Sequence, residues 1–411
     1  MGRTVTLALL APDGTPLGTT PEFEVESQWW QEVAPVVAGA RTEFGIEVTV
    51  LRLVAAERAQ PHGGAVTYLA ECHGPSPEPW RLALVPAADA AQLGLVTRVV
   101  EAGRSDEGAR ALRGVELGTF DEKWVEPHPL RMKWAEPGGP AEALRWAGVE
   151  GGAQQRTWNL SSVWRLDGTW LKEVPPFLRQ EPIVLEWLGK RAPGTVPRLL
   201  EADGGRMLLA EVPGTDRYDA GVAEIVAMVR DLFEIQAMAA EHVDELLARG
   251  VPDWRAESFI ERAAAVAGKY ADQLTTDERD RLGKLVAGLP ERFARLADCG
   301  IPDSLVHGDF HPGNVRSDGS SRVILDWTDS VIGHPALDVR NRPELVQEWS
   351  RLWRKKIAGS EPERALELTR PLGSLRGAAV YDAFLQGIEP SERPYHAADP
   401  LNCLREAANY R

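Results

Sequence analysis

The sequence has few cysteines, too few basic residues to balance its acids, and no long apolar run. Its three cysteines, Cys72, Cys299 and Cys403, lie far apart and form no Cys-x-x-Cys pair. This excludes a disulfide framework and a paired-cysteine zinc site, and it predicts a reducing compartment. The net charge of -15 argues against general nucleic-acid binding, which needs a basic surface. No apolar window reaches the roughly 18 residues that would predict a membrane-spanning helix.

The composition is that of a globular chain, with 44% apolar and 26% charged residues. A length of 411 residues predicts two or three domains. The apolar run at the amino terminus is too short for a signal-peptide core and ends at the turn Asp13-Gly14, so we expect a first strand over Thr4–Leu10 and a cytoplasmic protein.

The chemistry is concentrated in two neighbouring stretches. The first is Val306-His-Gly-Asp-Phe-His-Pro-Gly-Asn-Val315, which places Asp309 five positions before Asn314. The second, Val323-Ile-Leu-Asp-Trp327, reads as a strand ending on Asp326. Phosphoryl transfer from ATP needs one carboxylate to orient or deprotonate the hydroxyl, and oxygen ligands to hold Mg²⁺. Asp309 fits the first role, and Asn314 and Asp326 fit the second.

The pattern His-Gly-Asp-x-His-x-x-Asn followed by Asp-Trp resembles the aminoglycoside phosphotransferase family, whose relatives include protein kinases and choline kinases. The resemblance covers roughly residues 141–411. It implies an α+β, two-lobed protein-kinase-like fold. It also implies that His307 braces the loop and that Asp338 holds the loops together, whereas His311 is open between a packing role and a position near the phosphates.

Upstream, the two strands Val163–Leu166 and Thr169–Val174 are joined by Asp167-Gly168, a strong hairpin signal. In the family, a strand lysine such as Lys172 neutralises the nucleotide phosphates, held by a helix glutamate. Glu181 matches that position, with Glu186 as the competitor. The remaining candidates for nucleotide binding are Asn159, Ser161 and Ser162 in the loop before the hairpin, and the backbone of Glu211 and Val212 at the hinge.

The carboxy-terminal tail, from Arg340, is expected to be helical with a loop near Gly387–Pro400. In the family, acids in the last helices receive the amines of the substrate. The resemblance therefore implies that this loop recognises substrate through Glu389, Glu392, His396 and Asp399. A solvated charged loop without a ligand is the competing interpretation.

The first 120 residues predict a separate α/β domain. Strands are expected over Thr4–Leu10, Ile46–Val54, Ala65–Glu71 and Trp80–Val85, and helices over Trp29–Arg41 and Ala87–Glu101. The layout faintly resembles a Nudix domain through Glu43-Phe-Gly-Ile46, but Ala40, Arg41 and Thr42 stand where the metal-binding glutamates should be. An accessory role is therefore expected.

The predicted organisation is an accessory domain (1–120), a Pro- and Trp-containing connector (121–140), a kinase-like amino-terminal lobe (141–214) and a helical carboxy-terminal lobe (215–411). The predicted function is transfer of the γ-phosphate of ATP, or of GTP, to a hydroxyl of an antibiotic or an amine-bearing metabolite, with Mg²⁺ as cofactor. A kinase of a sugar, choline or homoserine and a non-catalytic pseudokinase are the alternatives. No nucleic-acid or membrane partner is expected.

Overall fold

The structure, a computed structural model, describes residues 2–58, 63–73, 117–339 and 343–410. The strands are β1 (Arg3–Leu10), β2 (Pro16–Thr19), β3 (Phe23–Val25), β4 (Glu47–Ala56), β5 (Ala65–His73), β6 (Ala153–Trp158), β7 (Ser161–Arg165), β8 (Thr169–Glu173), β9 (Leu199–Asp203), β10 (Arg206–Ala210), β11 (Thr215–Asp216), β12 (Ser304–Val306), β13 (Val315–Ser317), β14 (Arg322–Ile324) and β15 (Val331–Gly333). The helices are α1 (Ala34–Phe44), α2 (Gly139–Trp146), α3 (Gln180–Arg191), α4 (Val222–Ala239), α5 (Val243–Arg249), α6 (Ala256–Lys269), α7 (Thr276–Ala287), α8 (Leu289–Ala297), α9 (Pro343–Lys356), α10 (Pro362–Gly387) and α11 (Asp399–Asn409).

The chain divides into two compact units. The first holds Met1–Pro175 and Gly387–Ala397, and the second holds Pro176–Gln386 and Ala398–Arg411. This division does not coincide with the predicted boundaries at 120, 140 and 214, and a short segment near the carboxy terminus returns to the first unit.

The first unit is built on a mixed sheet with the strand order β2-β1-β5-β4, and β3 also pairs with β1. Strands β1 and β5 run parallel, from Thr4 opposite Ala65 to Leu10 opposite Glu71. One face of the sheet packs on α1 around the buried Trp30 and Val36. The other face buries Leu10, Leu51 and Leu69.

Strand β6 is tied to this sheet by a buried glutamine side chain. The Gln154 amide donates to the backbone oxygen of Val50 over 2.7 Å and accepts from its N–H over 3.0 Å. In addition, the Val33 N–H donates to Gln155 O over 3.1 Å. A buried amide satisfied in this way reproduces one rung of a strand ladder. The first unit therefore continues past the predicted boundary into the meander β6-β7-β8.

The returning segment, residues 387–397, is buried in the first unit. Its six residues of 3-10 helix, Pro390–Tyr395, place Tyr395 edge-on against Trp30 and Trp158, each at 5.6 Å between ring centres. Glu389 lies 3.0 Å from the Arg52 guanidinium and 3.0 Å from that of Arg131. These ion pairs are buried, so removal of either partner would leave a desolvated charge.

Glu392 is the second buried acid of this segment. Burial, helped by the negative charge of Glu389, raises its pKa to about 8, although Arg52 and Arg131 oppose the shift. The Glu392 backbone oxygen accepts from the side chain of Asn159 over 3.3 Å. The segment is therefore held by both charged and neutral contacts.

The second unit has a helical core. It gathers α4, α6, α7, α9, α10 and α11 around fully buried aromatic rings, including Trp349, Trp353 and Phe259. Its strands are short: β9 pairs with β10, β11 with β13, β13 with β14, and β12 with β15. The last two pairs carry the two stretches in which the sequence concentrates its chemistry.

Most predicted elements are present in the described residues, with shifted ends. Helix α1 begins at Ala34 and not at Trp29, because Pro35 favours the first turn of a helix and fixes the start there. Helix α4 ends at Ala239, and after three residues a second helix, α5, starts at Val243. The predicted strand Trp80–Val85 and helix Ala87–Glu101 lie outside the described residues. Within those residues, none of the helices combines the length and apolar character needed to cross a bilayer.

We predict that Glu392→Gln stabilises the chain at pH 8 more than at pH 5. The folded chain keeps a proton on Glu392 up to about pH 8, whereas the unfolded chain releases it near the ordinary value of 4.5. Stability is therefore lost as pH rises across that window, and a glutamine cannot lose a proton. Thermal unfolding at both pH values checks this, with the exposed Glu22→Gln as control. An equal effect of Glu392→Gln at both pH values would contradict the assignment.

Candidate functional site

The two chemical stretches meet at the ends of β12 and β14. Strand β12 pairs with β15, so the chain leaves Val306 from a buried two-stranded ladder and enters the loop His307–Asn314. The hairpin β13-β14 then returns the chain, with Val315 opposite Ile324. The Leu325 N–H donates to Asn314 O over 2.7 Å. Asn314 and Asp326 are consequently brought side by side, although twelve positions apart.

Asp338 anchors the loop from below. Its buried carboxylate accepts the backbone N–H of His307 over 2.9 Å, that of Gly308 over 2.8 Å, and the side-chain N–H of Gln236 over 2.9 Å. Burial raises the pKa of Asp338, and the two backbone donors and Gln236 act against the shift. The resemblance implied that Asp338 holds the loops together, and these hydrogen bonds have the geometry that such a role needs.

His307 has a structural position, fully buried behind the loop. Its Nε2 donates to Leu325 O over 2.8 Å, and its Nδ1 accepts from the Asp309 N–H over 3.3 Å. Burial lowers the pKa of His307, so the neutral ring is the form that both contacts use. The ring also lies 4.6 Å from that of Trp327, so His307 connects both stretches.

Gly308 can be only glycine in this loop. Its φ is +89°, and a Cβ at this position would lie 2.3 Å from the Asp329 carbonyl oxygen. The largely buried Arg376 donates to Gly308 O over 3.2 Å and to Asp329 O over 2.6 Å. The loop and the Asp329 turn are thereby fastened to α10.

Asp309 projects from this fixed loop with its side chain 42% exposed. The Asn314 Nδ2 donates to Asp309 O over 2.9 Å and to the carboxylate Oδ2 over 3.4 Å. His311 places its Nε2 3.5 Å from the same carboxylate oxygen. An exposed carboxylate held by two neighbouring groups suits a base that must meet a substrate hydroxyl.

Asp326 is held in an unusual backbone conformation. Across 2–58, 63–73, 117–339 and 343–410 it is the one non-glycine residue with positive φ, at 59°. Its Oδ1 accepts from the Thr328 hydroxyl over 2.7 Å, and the next backbone N–H, of Trp327, donates to the buried Glu181 over 3.3 Å. A strained residue of this kind persists only where its surroundings determine it, and such residues cluster at functional sites.

The donor set fits Mg²⁺ shared with a nucleotide. Because the Nδ2 of Asn314 is used within the loop, its Oδ1 is the atom left to act as a ligand. Asp326 adds carboxylate oxygens, and hard Mg²⁺ prefers such oxygen ligands. No group of three or more His, Cys, Asp or Glu able to hold a metal occurs within the part of the chain that the structure describes. Asn314 and Asp326 would therefore hold the ion together with phosphate oxygens.

The residues predicted to bind the nucleotide are divided between the two units. Lys172 is half-buried on β8, opposite Val163, so its placement on a strand is confirmed. Glu181 opens α3 in the second unit, and its pairing with Lys172 stays a prediction; Glu186, the competitor, pairs with Lys190 at the surface. Glu211 and Val212 follow β10 and are half-buried, and their contact with a base also stays a prediction.

The side chains predicted to cover the phosphates are placed otherwise. Asn159 is buried in the tight turn between β6 and β7, and Ser161 and Ser162 are buried at the start of β7. The two hydroxyls accept from the indole N–H groups of Trp158 and Trp164, and Asn159 bonds to residues of the returning segment. The prediction that these side chains bind the phosphates is corrected, because the side chains already have buried partners. Phosphate binding by the backbone N–H groups stays a prediction.

The predicted substrate loop is also corrected. Glu389, Glu392 and His396 are each 4% exposed and belong to the segment that packs inside the first unit. Glu389 is engaged by two arginines, and His396 lies 3.3 Å from Asn159 Oδ1. A run of acidic residues without apolar spacing is typical of a solvent-exposed loop. Nothing in its sequence indicates that Arg52 and Arg131, far upstream, pair with it. Asp399 differs from the other three, because it is half-buried at the start of α11.

Asp399 lies in an acidic environment that includes the candidate base. Burial raises the pKa of Tyr381, and the negative charges of Asp399, Asp329 and Asp309 raise it further. All of these residues belong to the second unit.

Sequence reasoning missed Arg376, Gln236, Thr328 and Tyr218, which contact the loops. Only Thr328, two positions after Asp326, carries a local signal that could have been used.

A family model described as the phosphotransferase enzyme family matches residues 145–360, more than half of the chain. The chain belongs to this family. The predicted family and the enzyme class, a phosphotransferase, are thereby confirmed, and the observed strands and helices confirm the predicted α+β class. Among curated proteins, no sequence matches the chain.

Solved structures similar to the chain are distant. A gentamicin complex of APH(2″)-IIa is 12% identical, with a TM-score of 0.47, and the match covers 62% of this chain and 89% of that one. A macrolide 2′-phosphotransferase from Brachybacterium faecium is 18% identical, with a TM-score of 0.44 and coverages of 66% and 97%. An ethanolamine kinase from Plasmodium vivax is 9% identical, with a TM-score of 0.45 and coverages of 60% and 78%.

We predict that Gly308→Ala lowers both stability and phosphotransferase activity. The added methyl group would collide with Asp329 O in a left-handed conformation, and such strain costs about 1–3 kcal/mol. Denaturant unfolding and nucleotide consumption measure the two effects. Gly283→Ala is the control, because nothing lies within 4 Å of its Cβ position in α7 and alanine favours a helix by about 1 kcal/mol. Equal behaviour of both variants would rule out the steric account.

Proposed function

We propose that this small-molecule phosphotransferase moves the γ-phosphate of ATP, or of GTP, to a hydroxyl group, with Asp309 as its base. The observation that carries the proposal is the loop itself. It presents an exposed Asp309 carboxylate beside Asn314 and brings Asn314 next to Asp326. Phosphoryl transfer asks a protein for positioning and for charge stabilisation, and this arrangement offers both.

Asp309 orients the acceptor hydroxyl and takes its proton as the oxygen attacks. Asn314 and His311 restrict the carboxylate from two sides, so the accepting oxygen is aimed before the substrate arrives. This preorganisation lowers the entropy that the reacting groups lose on approach. The neutral His307 behind the loop keeps the Asp309 backbone in place through its N–H contact.

Asn314 and Asp326 would hold Mg²⁺ through oxygen atoms, with Thr328 orienting the carboxylate of Asp326. Mg²⁺ and the nucleotide, when bound, supply the transferable phosphoryl group and screen its charge. Lys172 is proposed to neutralise the phosphates, and the backbone of Glu211 and Val212 to bind the base. Glu181 contributes from α3 through its contact with the Trp327 N–H, which couples that helix to the Asp326 turn.

The acceptor is proposed to carry an amine. Asp399, Asp329 and Asp309 all raise the pKa of Tyr381, so their carboxylates surround one phenol of the second unit. A cation near these carboxylates would be stabilised. An antibiotic or another amine-bearing metabolite fits this environment, and Asp399 is the proposed contact for its amine.

Asp309→Asn tests the proposal. We expect acceptor-dependent consumption of ATP or GTP, with Mg²⁺ and a panel of aminoglycosides, amino sugars, nucleosides, choline and homoserine. The variant should lose roughly 10²–10⁴-fold in rate, because general base catalysis contributes that much. Asp272→Asn, a fully exposed aspartate of the same unit, is the matched control and should retain the wild-type rate.

Wild-type turnover by a folded Asp309→Asn chain would refute the base assignment. If no acceptor is consumed, calorimetry of Mg²⁺-nucleotide binding separates the remaining cases. Binding would show that the acceptor lies outside the panel, whereas its absence would favour a non-catalytic member of the family.

A further inference from the structure

Tyr218 is the most exposed large apolar side chain among the described residues, at 66%. It lies beside the catalytic loop. Its ring centre is 6.0 Å from that of His311, with 33° between the ring planes. His311 in turn lies 3.5 Å from the Asp309 carboxylate. The Tyr218 ring, the His311 ring and the Asp309 carboxylate therefore lie next to one another in that order.

The position of Tyr218 is fixed despite its exposure. Immediately before it, Thr215 and Asp216 pair with Ser317 and Arg316 in the ladder of β11 and β13. The Arg217 N–H donates to Val315 O over 3.1 Å, and the Ala220 N–H donates to Arg217 O over 3.0 Å. The backbone on both sides of the ring is consequently pinned.

The ring itself rests on the loop. A Cβ at Gly313 would lie 2.2 Å from the Tyr218 ring and 2.7 Å from that of His311, so glycine permits both rings to approach the backbone closely. One face of the tyrosine covers Gly313, and the rest of the ring is open to solvent. A rigid, exposed aromatic ring offers contact area at little cost in conformational entropy.

We propose that Tyr218 and His311 form a stacking platform that positions the acceptor substrate, and that this acceptor bears its hydroxyl on a ring. The inference rests on the proposed function and narrows it. A ring with an apolar face can lie on the platform and direct a hydroxyl towards Asp309, whereas a short open-chain alcohol has no face to stack. The electron-rich face of an aromatic ring attracts the positively polarised C–H groups on the apolar face of such a ring alcohol.

Binding measured without catalysis tests the platform. Saturation-transfer NMR would give dissociation constants for two ring alcohols, 2-deoxystreptamine and methyl α-D-glucopyranoside, and two open-chain alcohols, ethanolamine and L-homoserine. We expect Tyr218→Ala to weaken binding of at least one ring alcohol by roughly three- to tenfold, which matches the usual worth of such a contact. Tyr218→Phe should restore it to within about twofold, and open-chain binding should not change.

Tyr410→Ala is the control, since Tyr410 is also exposed and belongs to the same unit. Thermal unfolding shows that each variant is folded. Equal ring-alcohol binding by wild type and Tyr218→Ala, or no ring-alcohol binding by the wild type, would overturn the platform. The binding measurement needs no turnover, so failure of the proposed activity and failure of the proposed platform can be told apart. The first abolishes acceptor-dependent nucleotide consumption, and the second abolishes the effect of Tyr218→Ala on ring-alcohol binding.

Where turnover is observed, Tyr218→Ala should raise KM for the ring acceptor and leave kcat for that acceptor within about twofold. A merely structural role for Tyr218 would lower kcat through the loop and affect open-chain and ring acceptors alike. That outcome would also overturn the platform.

Discussion

The buried carboxylate of Asp338 is the constraint on which the site depends. It accepts two consecutive backbone N–H groups at the start of the catalytic loop and is itself oriented by Gln236 from α4. Only a left-handed glycine at 308 allows the chain to present both donors and then turn towards solvent. This turn sets the direction in which the Asp309 side chain projects. The core that buries Asp338 and Gln236 thus fixes the backbone from which the proposed base, Asp309, projects.

A second buried network organises the first unit. Arg52 and Arg131 converge on Glu389, and Tyr395 lies between Trp30 and Trp158, so the segment 387–397 completes a unit whose first strand starts at Arg3. This segment lies beyond the family match, which ends at residue 360. Truncation before it would leave the buried Arg52 without its acid and Arg131 with only the more distant Glu136, which is why the whole chain is the unit for experiments.

The local parts of the site were predictable from the sequence, and the long-range parts were not. Asp309, Asn314 and Asp326 lie within eighteen positions, and the β13-β14 hairpin brings them together by its own geometry. Lys172 was placed correctly on a strand because Asp167-Gly168 marks a hairpin. By contrast, Glu389 looked like a solvated acid, since its arginines lie over 250 positions upstream. Arg376 and Tyr218 were missed for the same reason, because nothing near them in the sequence shows what they contact.

The most direct measurement is the transfer of labelled γ-phosphate by Asp338→Asn under rapid quench. The asparagine side chain keeps one acceptor oxygen, but its amide N–H group then faces a backbone N–H donor. Because two donors repel each other, we expect the start of the loop to shift from its wild-type position. A displacement of about 1 Å can cost about a hundredfold in rate. We predict a loss of that order in a chain that still unfolds cooperatively and still binds nucleotide. Transfer at the wild-type rate would contradict the claim that this carboxylate builds the site.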